Sequence, residues 1–171
     1  MNRIYLVGYM GAGKSTAARR LANRLGWEVA DTDAMFEEKY RISVNDFFSK
    51  YDENLYRKLE SEILKSTESL ENVVVSTGGG TACFYDNMAW MNAHGLTVFL
   101  SISPKAAVDR LLISKKKRPL AQGKTEAELL EYVEQHYAAR LPFYEQAKIT
   151  AKAENLDIDE LIERIENEKD R

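Results

Sequence analysis

The chain has 171 residues, with 24 Lys or Arg against 27 Asp or Glu for a formal net charge of −3, and 44% of it is hydrophobic. A chain of this size buries about 70% of the surface its unfolded form exposes, which excludes disorder and any need for disulfides or a structural metal. The single cysteine, Cys83, excludes an internal disulfide and a Cys-cluster zinc site, the slightly acidic balance argues against a general nucleic-acid binder, and no apolar run approaches the roughly 20 residues that span a bilayer.

The chain begins with an apolar, β-branched segment, Arg3 to Val7, that breaks at Gly8 before an alanine- and arginine-rich stretch, Ser15 to Leu25. That order predicts strand, glycine turn, helix. Further helices are predicted at Ala34 to Tyr40, Asn54 to Ser66, Asp86 to His94 and Asp157 to Glu168 from apolar residues three and four apart. Short strands are predicted at Trp27 to Ala30, Asn72 to Ser76, Leu96 to Ile102 and Lys148 to Ala151. Strands alternating with helices imply right-handed crossovers and a parallel sheet. The run Val73 to Val75, without polar alternation and followed by glycines, reads as a strand covered on both faces.

Two stretches depart from this alternation. Ser43 to Tyr51 and its neighbours add helical material where a minimal strand-helix-strand unit would return to the sheet, a common place to hold a substrate. Ser114 to Lys124, with Pro119 and Gly123 and no apolar period, reads as a mobile loop between two helices. The expected organisation is one domain over 1–171, with a phosphate loop at 8–15, a substrate region at about 31–62 and a lid at about 112–124.

Gly8-Tyr-Met-Gly-Ala-Gly13-Lys14-Ser15 fits GxxxxGK[ST] in the strand-to-helix context that the pattern needs. Glycines let successive amide N–H groups curl round a phosphate, and the following helix adds its positive N-terminal end. The Lys14 ammonium would neutralise the β- and γ-phosphates of a nucleoside triphosphate, and the Ser15 hydroxyl would coordinate Mg²⁺ between them. The strand Val73 to Ser76 ends without the metal-directed Asp that many such sites carry. Asp31 and Asp33, leaving the same sheet edge as the phosphate loop, are the candidates instead. Asp31 would reach the metal through water and Asp33 would accept from a substrate hydroxyl, either as an orienting group alone or also as the base that takes its proton. The competing reading is helix capping by Thr32 or Asp33.

The set GYMGAGKS at 8–15, DTD at 31–33, YRKLE at 56–60, GGG at 78–80, RPL at 118–120 and the late Arg140 followed by Tyr144 resembles shikimate kinase, in order and spacing over nearly the whole chain. The resemblance implies a three-layer α/β/α P-loop kinase with a central, mainly five-stranded parallel sheet, an inserted helical substrate region and a mobile lid. It implies that ATP, with Mg²⁺, phosphorylates the 3-hydroxyl of shikimate, in the synthesis of chorismate and aromatic amino acids. The ATP-binding set carried over is Gly11, Ala12, Gly13, Lys14, Ser15, Thr16, Arg110 and Arg118. Arg110 would stack on adenine and Arg118, from the lid, would meet the transferring phosphoryl. The acceptor set is Asp33, Arg57, Gly78, Gly79, Gly80 and Arg140, with the two arginines clamping the carboxylate and Glu60 orienting Arg57. Taken alone, Arg57 and Glu60 would read as an ordinary surface i, i+3 pair. Lys14, Asp33 and Arg118 would be the catalytic residues, and Ser15 and Asp31 the metal-directed ones.

Thr81 to Asp86 departs from the small apolar stretch associated with that family, and Cys83, His94 and His136 lie outside its motifs and read as packing residues. Rival readings are a gluconate or nucleoside monophosphate kinase of the same fold, or an ATP-binding module without chemistry. Two separated arginines with DTD suit a polyhydroxy acid better than a nucleotide. Met1 to Gly8 lacks a signal-peptide order, so a cytoplasmic chain is expected, without membrane or nucleic-acid partners. With no heptad or exposed apolar repeat, a monomer is expected.

Overall fold

The computed structural model describes residues 2–113 and 123–171. Its strands are β1 (Arg3–Val7), β2 (Glu28–Asp31), β3 (Val73–Ser76), β4 (Leu96–Ser101) and β5 (Ile149–Lys152). All pair in parallel, in the order β2-β3-β1-β4-β5. The helices are α1 (Lys14–Leu25), α2 (Thr32–Tyr40), α3 (Val44–Lys50), α4 (Glu53–Ser66), α5 (Asn87–His94), α6 (Pro104–Ile113), α7 (Glu126–Tyr144) and α8 (Ile158–Lys169). They cover the sheet on both faces in a three-layer α/β/α arrangement, the architecture expected from the sequence.

The strand sequences explain their places. Val73, Val74, Val75 and Ser76 are all buried, as a central strand covered on both faces requires. At the sheet edge β5 alternates, with Ile149 and Ala151 buried and Thr150 and Lys152 exposed. The main core gathers Ile4 to Val7 of β1, Val98 to Leu100 of β4, and Ala18 and Leu21 of α1. A second, smaller core of Phe36, Phe47, Tyr56 and Ile63 lies between α2, α3 and α4. The inserted helical region therefore has apolar packing of its own, with Phe36 edge-on to Phe47 and Tyr56.

Observed boundaries differ from the sequence reading in instructive ways. The cap of α2 is neither Thr32 nor Asp33 but Asp31, whose side chain accepts from the amides of Asp33 and Ala34, so the helix begins at Thr32. Leu112 and Ile113, assigned above to the lid, complete α6. Residues 114–122, which include Lys115 to Lys117, Arg118, Pro119 and Leu120, lie outside the described residues. The 19-residue α7 starts at a full capping box between Thr125 and Glu128 and continues through Pro142. A proline normally ends a helical pattern, which is why the sequence hides the length of this one.

Every strand points the same way, so the loops after their carboxyl ends meet along one edge. Leu6 of β1 and Asp31 of β2 both lie level with Ser76 of β3, which puts Asp31 two strands away from the phosphate loop at matching height. The central position of β1 makes the sheet sensitive to its packing. Leu6→Ala, at a fully buried site, is expected to lower stability by about 2–5 kcal/mol through lost burial and a residual cavity. A urea titration reads this as a lower midpoint with an unchanged slope; an unchanged midpoint would contradict the packing.

Candidate active site

The turn between β1 and α1 is built from backbone. Gly11 and Gly13 adopt φ of 84° and 82°, the left-handed region that favours glycine, and Gly13 is the residue from which α1 starts. At Gly8 the restraint is space as well, because a Cβ there would lie 2.7 Å from the carbonyl oxygen of Leu100. The Lys14 amino group is buried in the turn and donates to the carbonyls of Gly8 at 2.7 Å and Tyr9 at 2.9 Å. Its charge is thereby stationed in the turn at the start of α1, where an anion would meet both the ammonium and the helix N-terminus. Ser15 and Thr16, at the exposed start of α1, complete the turn.

Asp31 serves two partners. While Oδ1 caps α2, Oδ2 accepts from the Ser15 hydroxyl at 3.0 Å, and Ser76 Oγ stands 3.4 Å from Ser15 Oγ. Two hydroxyls and one carboxylate form a hard-oxygen set, the donor chemistry that suits Mg²⁺ shared with phosphates and water. Among the described residues no group of three or more His, Cys, Asp or Glu side chains forms a cation site by itself. A cation here would therefore depend on the phosphates for much of its coordination.

Beside the phosphate loop lies a cavity of about 360 Å³ lined by Gly13, Thr16, Arg20, Arg110, Asn155 and Leu156, among others. Arg110 projects from the last turns of α6 and donates to the Gly11 carbonyl at 2.9 Å, so it is fixed to the loop rather than free on a helix surface. The wall formed by Ala153 to Leu156 was not anticipated from the sequence. Its signal was the same strand-end rule that located Asp31, applied to β5, and the left-handed Asn155 (φ 54°) marks the sharp turn there.

On the other side of the phosphate loop the residues come from distant elements. Arg57 and Glu60 of α4 form a buried pair, Nη1 to Oε1 3.0 Å, with 8% and 3% of the residues exposed. The surface reading of this i, i+3 pair is therefore set aside. Burial disfavours the charge on Arg57, but Glu60 outweighs it, and the guanidinium is held above its ordinary value. Glu60 Oε2 accepts from the Thr81 hydroxyl at 2.9 Å and the Tyr56 hydroxyl at 3.3 Å, so its remaining lone pairs are satisfied. Tyr56 also stands 3.5 Å from Asp33 Oδ1, linking the second carboxylate to the same network. The Phe84 ring lies 4.2 Å from the Arg57 guanidinium carbon. That contact explains why an aromatic residue follows the glycines here.

The turn Gly78 to Gly80 sits at the centre of these groups. A Cβ on Gly78 would approach Asp33 Oδ1 to 3.1 Å, one on Gly79 would meet the Met10 amide nitrogen at 3.2 Å, and one on Gly80 would lie 2.6 Å from Arg57 Nη1. The three positions thus abut the Asp33 carboxylate, the phosphate loop and the buried guanidinium of Arg57 in turn. Arg140 of α7 lies near this region, hydrogen-bonded to Tyr144, whose hydroxyl donates to the Gly79 carbonyl. Burial pushes the Cys83 thiol up, against the pull of Arg140 and Arg57, and burial followed by the same two arginines lowers His136 to about 4. A raised thiol disfavours the thiolate, the reactive form of Cys83.

A glycine-rich phosphate loop leading into a helix at the carboxyl edge of a five-stranded parallel sheet, inside an α/β/α sandwich, defines a P-loop nucleotide-binding protein. The family model for shikimate kinase matches residues 10–170. Shikimate kinase from Bacteroides fragilis is 44% identical over 157 residues, 92% of this chain and 88% of that one. A crystal structure of shikimate kinase from Bacteroides thetaiotaomicron superposes with a TM-score of 0.91 at 40% identity over 99% of each chain. Shikimate kinase from Acinetobacter baumannii, in complex with shikimate, superposes with a TM-score of 0.82 at 31% identity over 96% of this chain and 90% of that one. The chain belongs to the shikimate kinase family. It is an ATP-dependent kinase of aromatic amino acid biosynthesis that phosphorylates shikimate. No helix among the described residues is long and apolar enough to cross a membrane.

The crowding at Gly80 can be tested without reference to turnover. Gly80→Ala is expected to push the Arg57 guanidinium off Glu60 and cost about 1–3 kcal/mol, the penalty of a loosened buried charge-assisted bond. Urea titration of the variant beside the parent measures it; equal midpoints would show that Arg57 moves aside at no cost.

Proposed function

We propose that the chain transfers the γ-phosphoryl of ATP to the 3-hydroxyl of shikimate with the residues already placed along the sheet edge. The observation that carries this reading is the turn Gly78 to Gly80, which abuts Asp33, the phosphate loop and Arg57 at successive positions. A single stretch of backbone thus spaces a hydroxyl-accepting carboxylate and a carboxylate-binding guanidinium against the site of phosphoryl transfer. Arg57 and Arg140, brought from α4 and α7, would hold the shikimate carboxylate from two sides. Asp33 would accept from the ring hydroxyls and orient the one that attacks, and the amides of Gly78, Gly79 and Gly80 would line the ring with no side chain intervening.

On the nucleotide side Gly11, Ala12, Gly13 and the first turn of α1 through Thr16 would bind the phosphates by their amides. Arg110 and the wall after β5 would enclose the adenine. Mg²⁺, when bound, neutralises charge on the β- and γ-phosphates, and Ser15 and Asp31 would hold it, Asp31 through water. The loose character of phosphoryl transfer asks for positioning and charge more than for early proton removal, so Asp33 acts chiefly by orientation. Lys14 would follow the charge onto the transferring group. Arg118, at 114–122 and so outside the described residues, would join it from the lid. Both substrates are bound by one chain on this reading, which acts as a monomer in the cytoplasm.

A coupled ADP-release assay with Mg²⁺-ATP and shikimate, beside gluconate, a nucleoside monophosphate and a no-acceptor control, tests the acceptor, and phosphorus-proton NMR of the product locates the phosphate. Saturable turnover with shikimate alone and a phosphate on the 3-hydroxyl are expected; turnover independent of acceptor would overturn the reading. Lys14→Ala is expected to lower kcat/KM by on the order of 10²-fold or more with the fold retained, since it removes a preorganised charge from the transition state. Initial rates within about threefold of the parent would remove Lys14 from catalysis. Arg140→Ala is expected to raise the shikimate KM by about tenfold or more and to leave the ATP KM near the parent's, the loss of one charge-assisted contact to the acceptor. Parallel titrations of the two substrates give that comparison directly.

A further inference from the structure

One polar contact between the two halves of the site has no part in the mechanism so far. Tyr9, the second residue of the phosphate loop, is fully buried. Its carbonyl accepts from Lys14, and its hydroxyl shares a 2.8 Å hydrogen bond with Nδ1 of His136. The Tyr9 ring lies between His136 and Tyr137 of α7, at centroid distances of 5.5 and 5.1 Å. Tyr9 is thus tied on one side to the phosphate-directed lysine and on the other to a helix.

That helix presents a row of contacts. His136, Arg140 and Tyr144 follow one another at i, i+4 and i+8 and so share one face of α7. His136 meets the phosphate loop, Arg140 acts on the acceptor side, and the Tyr144 hydroxyl donates to the Gly79 carbonyl. Gly79 in turn lies against Met10 of the loop. His136 and Tyr144 therefore fasten the helix at two points eight residues apart, and Arg140 stands midway between them.

We propose that His136 is a positioning residue for phosphoryl transfer, its Nδ1 sharing with the Tyr9 hydroxyl a hydrogen bond that fixes the phosphate loop to the helix carrying Arg140. The proposal rests on the assignment of Lys14 and Arg140 given above. The phenol can donate to Nδ1 of the Nε2–H tautomer or accept from an Nδ1–H, so the contact joins the same two atoms in either form, and the neutral ring adds the acceptor. The surroundings keep it neutral. Burial, then Arg140 on its own helix and Arg57 on α4, disfavour the charge, with Glu53 of α4 opposing them and Tyr132 beside the ring. The Tyr9 phenol is held in its protonated form by burial, so it has a proton to donate.

A ring pair could pack with no polar atoms at all, and the hydrogen bond adds direction to the packing. It ties the phosphate loop to the helix that carries Arg140, so that neither shifts without the other. A displacement of about 1 Å between the reacting groups is enough to cost on the order of 10²-fold in rate when the binding groups themselves are intact. The effect therefore belongs in kcat, since Lys14, Arg57 and Arg140 all remain to bind the substrates.

The experiment compares His136→Leu, His136→Asn, Tyr9→Phe and the double variant Tyr9→Phe/His136→Leu by initial rates at saturating Mg²⁺-ATP and shikimate, with both KM values and a urea titration of each. His136→Leu and Tyr9→Phe are each expected to lower kcat by about tenfold while both KM values stay within about threefold. The double variant is expected to be no slower than the worse single one, because the two substitutions remove one shared bond. His136→Asn, whose side-chain oxygen can replace Nδ1, is expected to recover most of kcat. Parent-like kcat in Tyr9→Phe, additive losses in the double variant, or an Asn variant as slow as the Leu variant would each overturn the proposal. Tyr9→Phe keeps the ring and its packing, so it decides the matter even where His136→Leu is too unstable to assay. If the parent itself failed to turn over shikimate, the functional reading would fall first, and the urea titrations would still show whether the Tyr9 and His136 losses are shared.

Discussion

The acceptor side of the site depends on one costly interaction, the ion pair of Arg57 and Glu60, taken almost wholly out of water. Removing two charges from solvent costs several kcal/mol per ion, so such a pair persists only where each remaining polar atom finds a partner. Glu60 finds them in Thr81 and Tyr56, and Arg57 in Glu53 and the face of Phe84. Those partners come from α4 and from the turn after the glycines, so satisfying the pair joins the inserted helical region to the sheet edge. The absence of a side chain at Gly80 is part of the same arrangement, because the guanidinium fills the space that a Cβ would need.

The phosphate side is made differently. Its groups are backbone amides and carbonyls of one short turn, with Lys14 returning to Gly8 and Tyr9 of the same turn. Local construction of this kind needs little from the rest of the fold beyond the strand and helix that flank it. The two halves meet where Gly79 touches Met10, and Asp31 joins them again, one oxygen capping α2 and the other facing Ser15. A single carboxylate thereby ties the start of the acceptor region to the start of α1.

This difference decides what the sequence discloses. The phosphate loop is contiguous, and each of its residues has a mechanical reason to be there, so both its place and its chemistry are legible in the order of residues alone. The strand order is not written in the sequence, but alternating strands and helices restrict it enough that the parallel sheet follows. Asp31 and Asp33 could be placed on the correct edge, yet the cap of α2, expected at Thr32 or Asp33, falls on Asp31 through a side-chain rotamer that no spacing reveals. Arg57 and Glu60 looked like a surface pair in isolation, since burial at that helix face comes from Phe84 and the glycine turn, which follow α4 only after β3. His136 gave still less. An isolated histidine among polar and alanine residues has no periodic signal, and its partner Tyr9 lies 127 positions away.

Long-range partners of this kind explain why α7 was the least legible element and one of the most consequential. Its sequence mixes charged, aromatic and apolar residues and contains Pro142, so its apolar face is narrow, with Leu129, Val133, Tyr137 and Tyr144 as the buried set. The polar residues that flank this buried stripe are the ones that reach the site. A helix packed by a narrow stripe has rotational freedom about its axis that apolar contacts alone restrain weakly, because they carry no direction. Directed bonds supply the missing restraint. The Tyr144 hydroxyl on Gly79 and the Tyr9 hydroxyl on His136 act at two turns of the helix. Arg57 is fixed by charge and burial, whereas the face of α7 that carries Arg140 is held by directed bonds from its neighbours on the helix.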